Sequence, residues 1–234
     1  MPHYVSFSFQ KHVNEIYKLR NAALSAVHSF TYQGVEITCD LRWTNHVVAV
    51  VKKASNTLNF VRRNLYRCNR HVKELSYISL VRPQLEYATA AWDPYTSCNI
   101  KDIEMVQRRA ARYVKRDYQR TTSVTSLLDS LHWQSLQDRR RNARLLHFFK
   151  ALHGYQGLSQ LVNDLPRPTR LTRSSCVDVV AFSQLPCRTD VFKFSFLPHT
   201  VIDWNSLDLG VRGLSSLESF RQALVGGRSA ATSY

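Results

Sequence analysis

Between Val47 and Leu65 the apolar residues Val47, Val50, Val51, Ala54, Leu58, Val61 and Leu65 recur at intervals of three or four, with Val50 and Val51 adjacent. That recurrence follows the 3.6-residue turn of an α-helix, and the two-residue alternation of a strand does not produce it. An apolar helical stripe is stable only when other elements cover it, so the chain must build a packed helical assembly around this segment. Thr44 or Asn45 stands where an N-cap would start the helix. Lys52, Lys53, Arg62 and Arg63 flank the stripe.

Further elements follow from the same rules. A second helix is expected over Val72–Leu80, ended or kinked near Pro83, whose ring lacks an N–H and restricts the residue before it. After a loop and cap at Tyr95-Thr96-Ser97, the residues Ile100, Ile103, Val106, Ala110 and Val114 mark a third helix. Thr122–Leu131 suits a short helix. Leu136–Leu152 suits a longer one, with Asp138-Arg139-Arg140-Arg141 at its front and Leu145, Phe148, Phe149 and Leu152 on its buried side. Upstream, Lys11–Ala26 reads as a helix and Phe30–Thr38 as a short hairpin or bulged strand around Gly34. Downstream, Pro166, Pro168 and their polar neighbours form a linker. Val177–Phe182 and Val191–Phe196 alternate as two strands, and Pro198–Leu207 and Ser215–Leu224 are short terminal helices. The expected architecture is mainly α. Residues 1–42 carry the hairpin, 43–153 a helical bundle, 154–175 a linker, 176–225 a small α+β segment and 226–234 a disordered tail.

Charge narrows the class of partner. The 234 residues hold 32 Lys and Arg against 17 Asp and Glu, a formal net charge of +15. Cations that neutralise phosphates release condensed counterions, so such an excess favours a polyanionic partner. The five cysteines, Cys39, Cys68, Cys98, Cys176 and Cys187, are scattered and form no Cys-x-x-Cys pair. That pattern speaks against a disulfide scaffold and fits reduced thiols in the cytoplasm or nucleus. Residues 1–10 lack the basic and apolar regions of a secretory signal, and no apolar run approaches the ~18 residues of a membrane span.

The residues of most enzyme classes are missing. Two-metal nucleotidyl transfer needs carboxylates that converge on paired metals, and no two acidic residues are adjacent in this chain. Asp40, Asp93, Asp102, Glu104 and Asp117 are isolated and suit caps or surface charges. There is no phosphate-binding Gly-rich loop, no Gly-x-Ser-x-Gly and no His-Glu-x-x-His. His147 and His153 lie six apart, a poor spacing for two ligands on one helical face. No metal site is expected.

Three basic clusters remain. Arg108, Arg109, Arg112, Lys115, Arg116 and Arg120 form the densest, with Tyr113 and Tyr118 among them. Arg139, Arg140, Arg141 and Arg144 form the second, and Lys52-Lys53 with Arg62-Arg63 the third. Arg forks bind phosphate oxygens bidentately, and an interleaved Tyr can stack on a base. The alternative for any one cluster is a solvated helix face. Trp43, Trp92, Trp133 and Trp204 sit at element boundaries among apolar neighbours and read as core anchors.

A series of ordered blocks adds to this. Tyr32-Gln33-Gly34-Val35-Glu36-Ile37, then Leu41-Arg42-Trp43-Thr44-Asn45-His46, precede Val81-Arg82-Pro83-Gln84-Leu85-Glu86-Tyr87 and Trp92-Asp93-Pro94. Glu104-x-x-Gln107-Arg108-Arg109-Ala110-x-Arg112, Leu131-x-Trp133-x-x-Leu136-x-x-Arg139-Arg140-Arg141, and Phe196-x-Pro198 with Asp203-Trp204-Asn205 follow. In this order, across about residues 15–224, they resemble the segment behind the polymerase core of non-LTR (LINE-type) retrotransposon reverse transcriptases.

The resemblance implies a thumb-like helical bundle and connection region that contacts a template–primer duplex. Tyr32 and Gly34 would lie near the primer end, with Gln33 standing where the family has Leu. The palm aspartates, and the Mg they would hold, are expected upstream of Met1, so no cofactor and no polymerase activity are expected of this chain alone. The expected partners are an RNA/DNA duplex or RNA, and an upstream polymerase segment, with no membrane. Arg108, Arg109, Arg112, Lys115, Arg116, Arg139, Arg140, Arg141, Lys52 and Lys53 are the expected phosphate contacts. The alternative is a non-binding structural or protein-interaction remnant of a truncated reading frame.

Overall fold

A computed structural model describes residues 3–4, 18–19, 22–23, 25–155, 159–168 and 181–226. The described residues are mainly helical, with a short antiparallel hairpin ahead of the helices. They divide into two compact units, residues 1–88 with 92–137 and residues 89–91 with 138–234.

In the first unit, β1 (His3–Tyr4) pairs in parallel with β4 (Ser25–Ala26), and β2 (Lys18–Leu19) pairs antiparallel with β3 (Ala22–Ala23). Of the helix expected over Lys11–Ala26, the described residues 18–19, 22–23 and 25–26 are instead in these strands, and residues 11–17, 20, 21 and 24 lie outside the described ones. A lone helix of this length is marginal without a packed face, and strand pairing meets the same backbone hydrogen-bond demand. The hairpin is formed as expected. β5 (Ser29–Tyr32) pairs with β6 (Val35–Thr38) from Ser29 opposite Thr38 to Tyr32 opposite Val35. Its turn holds Gln33 at φ 45 and Gly34 at φ 79, so both central residues are left-handed. That geometry matches the twist of the strands, and Gly34 adopts it without steric cost.

Helix α1 (Thr44–Asn64) buries His46, Val47, Ala54, Leu58 and Val61. Neither Thr44 nor Asn45 caps it. Trp43 holds the N-cap position without a side-chain bond, and the Thr44 hydroxyl instead accepts from Asn99 Nδ2 at 3.3 Å. Helix α2 (Arg70–Ser76) is capped by Asn69, whose side chain accepts from the Val72 N–H at 2.9 Å. The helix does not stop at Pro83. A π-turn over Tyr77–Val81 leads into α3 (Arg82–Glu86). The Arg82 N–H donates to the Tyr77 carbonyl five residues back, which widens the ladder and leaves Pro83 in a first turn that needs no N–H.

Helix α4 (Ser97–Lys115) ends at Arg116 in the left-handed region, and α5 (Val124–Ser130) follows. The core of this unit gathers Leu58, Val61, Tyr77, Val81, Leu85, Trp92, Ile103, Val106, Ala110 and Trp133. Each buried Val, Leu or Ile among them contributes about 1.5–3 kcal/mol on burial. Tyr77 stacks on Trp133 at 4.4 Å and donates its hydroxyl to Gln107 Oε1 at 2.9 Å.

Helix α6 (Leu136–Leu152) has the expected bounds, and from Asp138 onward it belongs to the second unit. Its companions there are α7 (Ser159–Asn163), α8 (Asp190–Lys193), α9 (Phe196–Asn205), α10 (Leu209–Arg212) and α11 (Leu217–Gly226). Leu145, Phe148, Phe149, Val162, Leu165, Phe182, Val201, Trp204 and Phe220 form the core. Three expectations change here. The segment expected as a linker contains α7 and sends Val162 and Leu165 into that core. Val191–Phe196 is not a strand, because Thr189 accepts from the Phe192 N–H at 3.3 Å and starts α8. Of the strand expected over Val177–Phe182, residues 177–180 lie outside the described ones. Phe182 itself is in no strand and exchanges two hydrogen bonds with the Asn205 side chain, at 2.7 and 3.2 Å. Of the tail expected over 226–234, Gly226 instead closes α11 and residues 227–234 lie outside the described ones. Among those described, no helix is long and apolar enough to cross a membrane.

Candidate nucleic-acid interface

The outer face of α1 follows from its inner one. With the apolar stripe buried, Lys52, Lys53, Asn56, Asn59, Phe60 and Arg63 are exposed at offsets of zero, one, four, seven, eight and eleven residues. At 100° per residue these positions share one side of the helix. Phe60 is 57% exposed, an aromatic ring set among cations and amides. The side chains of Lys52, Lys53 and Arg63 make no hydrogen bond or ion pair among the described residues.

On α4 and at its C-cap the five expected contacts separate. Arg108 and Arg109 are exposed and unpaired among the described residues. Arg112 donates to the carbonyls of Asp117, Gln119 and Thr122 at 3.4, 2.9 and 3.4 Å, and so pins the loop that leaves the helix. Lys115 donates to the Ser130 carbonyl at 3.4 Å, and Arg116 to those of Tyr66 and Cys68 at 3.1 and 3.4 Å. Tyr113 is 3% exposed and donates to the Leu65 carbonyl at 3.1 Å, so it is a core residue and not a stacking surface. Lys73 is also buried, its ammonium 5.0 Å from the Tyr113 ring centre. Burial, with the nearby Arg116 charge, lowers its pKa from the usual lysine value.

The α6 cluster is turned inward. Arg140 is 1% exposed, which removes it from the phosphate contacts expected of this helix. Arg141 Nε binds Asp203 Oδ1 at 3.0 Å and its NH2 donates to the Ser206 hydroxyl at 2.9 Å. Arg144, buried, binds Asp203 Oδ2 at 2.6 Å. Arg139 is half-buried. Asp203 lies some sixty residues from these arginines in the chain, and no local sequence signal announces the pairing.

The hairpin and α3 meet α1 around a cleft of about 230 Å³, lined by Thr31, Gly34, Glu36, His46, Ala49, Val50, Lys53, Gln84 and Tyr87. The Tyr87 hydroxyl donates to the Gln33 carbonyl at 3.0 Å and fixes the turn from outside. Gln84 Nε2 donates to Thr57 at 3.0 Å and to the Leu80 carbonyl at 2.8 Å. His46 Nδ1 accepts from the Glu36 N–H at 3.3 Å, and its ring stands edge-on to Trp92 at 4.6 Å. Burial holds His46 below the usual histidine pKa, so the ring is a neutral wedge beneath the hairpin. Tyr32, 60% exposed, projects beside this turn. Gln84, Tyr87 and His46 stand inside the ordered sequence blocks, where no spacing assigns them a role. Their polar atoms acquire one only when the hairpin folds back onto α1 and α3.

Among the described residues, no three His, Cys, Asp or Glu side chains converge to hold a metal ion, so those residues do not match a two-metal donor set. Comparison with protein-family models, curated proteins and solved structures returned no match.

Proposed function

We propose that this chain binds nucleic acid as a thumb-like segment of the kind that follows the core of a non-LTR reverse transcriptase, and that it polymerises nothing by itself. The observation that carries this reading is the outer face of α1. Unpaired cations, amides and an exposed phenyl ring share one stripe there, and Lys53 from that stripe lines the cleft under the Tyr32–Val35 turn. Cations suit phosphate, amides suit sugar and base edges, and an exposed ring suits stacking. Arg108 and Arg109 extend the basic surface on α4. The partner class is an RNA/DNA duplex or RNA, met in the nucleus or cytoplasm, with an upstream polymerase segment as a second partner.

One observation favours the alternative of a protein-interaction remnant. The outer side of α2, the π-turn and α3 exposes Val72, Leu75, Leu80 and Pro83, an apolar face that phosphate does not need. Fluorescence anisotropy separates the two, using a recessed primer–template duplex against single strands, with heparin as competitor. Tighter binding to the recessed duplex that survives heparin is the expected result. Equal binding to every polyanion, erased by salt, would overturn it and leave the remnant reading.

A further inference from the structure

The foot of the β5–β6 hairpin holds a pair of residues that nucleic-acid binding does not use. The register places Ser29 opposite Thr38, and one step further it places His28 opposite Cys39. The Cys39 N–H donates to the His28 carbonyl at 2.9 Å, which locks that step. Directly opposed residues project to the same side of a hairpin with Cβ atoms about 4.5–5.5 Å apart. Here the arrangement brings Cys39 Sγ to 2.9 Å from His28 Nδ1, with Nε2 farther away at 3.7 Å. His28 is exposed and Cys39 is a half-buried free thiol. A nucleophile in hydrogen-bond reach of a base is the geometry that activates a thiol.

We propose that Cys39 is a thiol-modification site for low-molecular-weight disulfides, with His28 as its base. The thiol proton passes to His28 Nδ1 as Sγ attacks one sulfur of the disulfide. The S–S bond breaks, a mixed disulfide forms on Cys39, and the departing thiolate takes up the proton. The small disulfide is the oxidant, one equivalent of its thiol is released, and no other reactant is needed. The site adjoins the joint between hairpin and α1. There Thr38 Oγ1 donates within a network that includes Asp40 Oδ1 at 2.6 Å and the Arg42 carbonyl at 2.9 Å. A group attached to Cys39 therefore lands where the chain turns from sheet to helix.

The same chain supplies the control. Cys98 is more exposed, but its nearest polar partner is Asp102 Oδ2 at 4.0 Å, and a carboxylate opposes the negative charge that attack requires. Accessibility alone would make Cys98 the faster thiol. The base makes Cys39 faster.

The test treats the full reduced chain with glutathione disulfide and follows each cysteine by peptide mass mapping. Cys39 is expected to react at least about tenfold faster than Cys98, a modest part of the 10²–10⁴ that an aligned base supplies. His28→Phe and His28→Asn should both abolish that lead, with the Cys98 rate unchanged as a check that the fold persists. A Cys39 rate at or below that of Cys98 would overturn the proposal. So would a lead that survives in either His28 variant.

Discussion

Helices α1 and α6 both carry basic residues beside an apolar stripe, and they use them in opposite ways. On α1 the stripe is narrow enough to leave Lys52, Lys53 and Arg63 on open surface, their side chains in no ion pair among the described residues. On α6 the arginines fall on or beside the buried side, where Arg140 and Arg144 join Leu145, Phe148 and Phe149 among the buried residues. A buried guanidinium must be matched, and Asp203 from α9 matches both Arg141 and Arg144. The contrast shows that a run of Arg in a sequence is not in itself a binding surface. Its phase relative to the apolar stripe decides whether it meets phosphate or holds two helices together. On α4 both outcomes occur within one cluster: Arg108 and Arg109 face solvent, while Arg112 pins a loop.

The contrast breaks most sharply at Asp203. Asp203→Ala leaves Arg144 buried without its carboxylate, and the loss should be about 3 kcal/mol, at the low end for a broken buried pair because Asp203 keeps some exposure. Thermal or urea unfolding reads this directly. A change under about 0.5 kcal/mol, the size of a surface substitution, would mean that the α6 cluster is not structural.

A smaller effect comes with pH, and each unit has its own reporter. Burial lowers the pKa of both His46 and His199; for His199 the Arg144 charge adds to the lowering and Asp203 partly offsets it. A histidine whose folded pKa lies below its unfolded value takes up protons on unfolding. Its contribution is therefore complete above the ordinary value of about 6.5 and is lost as pH falls below it. Melting temperatures should fall from about pH 7 to about pH 5, and His46→Gln and His199→Gln should each flatten that fall. A melting temperature that rises on acidification would contradict the assignment.

Much of the fold was legible, because periodicity is a local signal. The stripes of α1, α4 and α6 followed from spacing and the hairpin around Gly34 from its residue types; of the four tryptophans read as core anchors, Trp92, Trp133 and Trp204 are buried and Trp43 is only partly so. The failures have separate physical causes. The alternation in Val191–Phe196 lost to the Thr189 cap, a local rule that outranked it. At Pro83, the expected end or kink of its helix, a π-turn over Tyr77–Val81 comes just before and a short helix continues, and nothing in Tyr77–Val81 advertises that adjustment. The site was less legible. Exposure of Lys52 and Lys53 follows from the α1 stripe, but the capture of Arg141 and Arg144 depends on Asp203, far along the chain. The His28–Cys39 pair was within reach, since the hairpin register fixes it once Gln33-Gly34 is taken as the turn.

In the proposed function, nucleic acid meets the outer face of α1. Binding of a recessed duplex across a salt series, for the wild type and for a Lys52→Gln, Lys53→Gln, Arg63→Gln variant, tests it most directly. Each phosphate contact contributes about 0.9 to the slope of log affinity against log salt, so the variant should bind more weakly with a slope shallower by about 3. A variant with the wild-type slope and affinity would contradict the account.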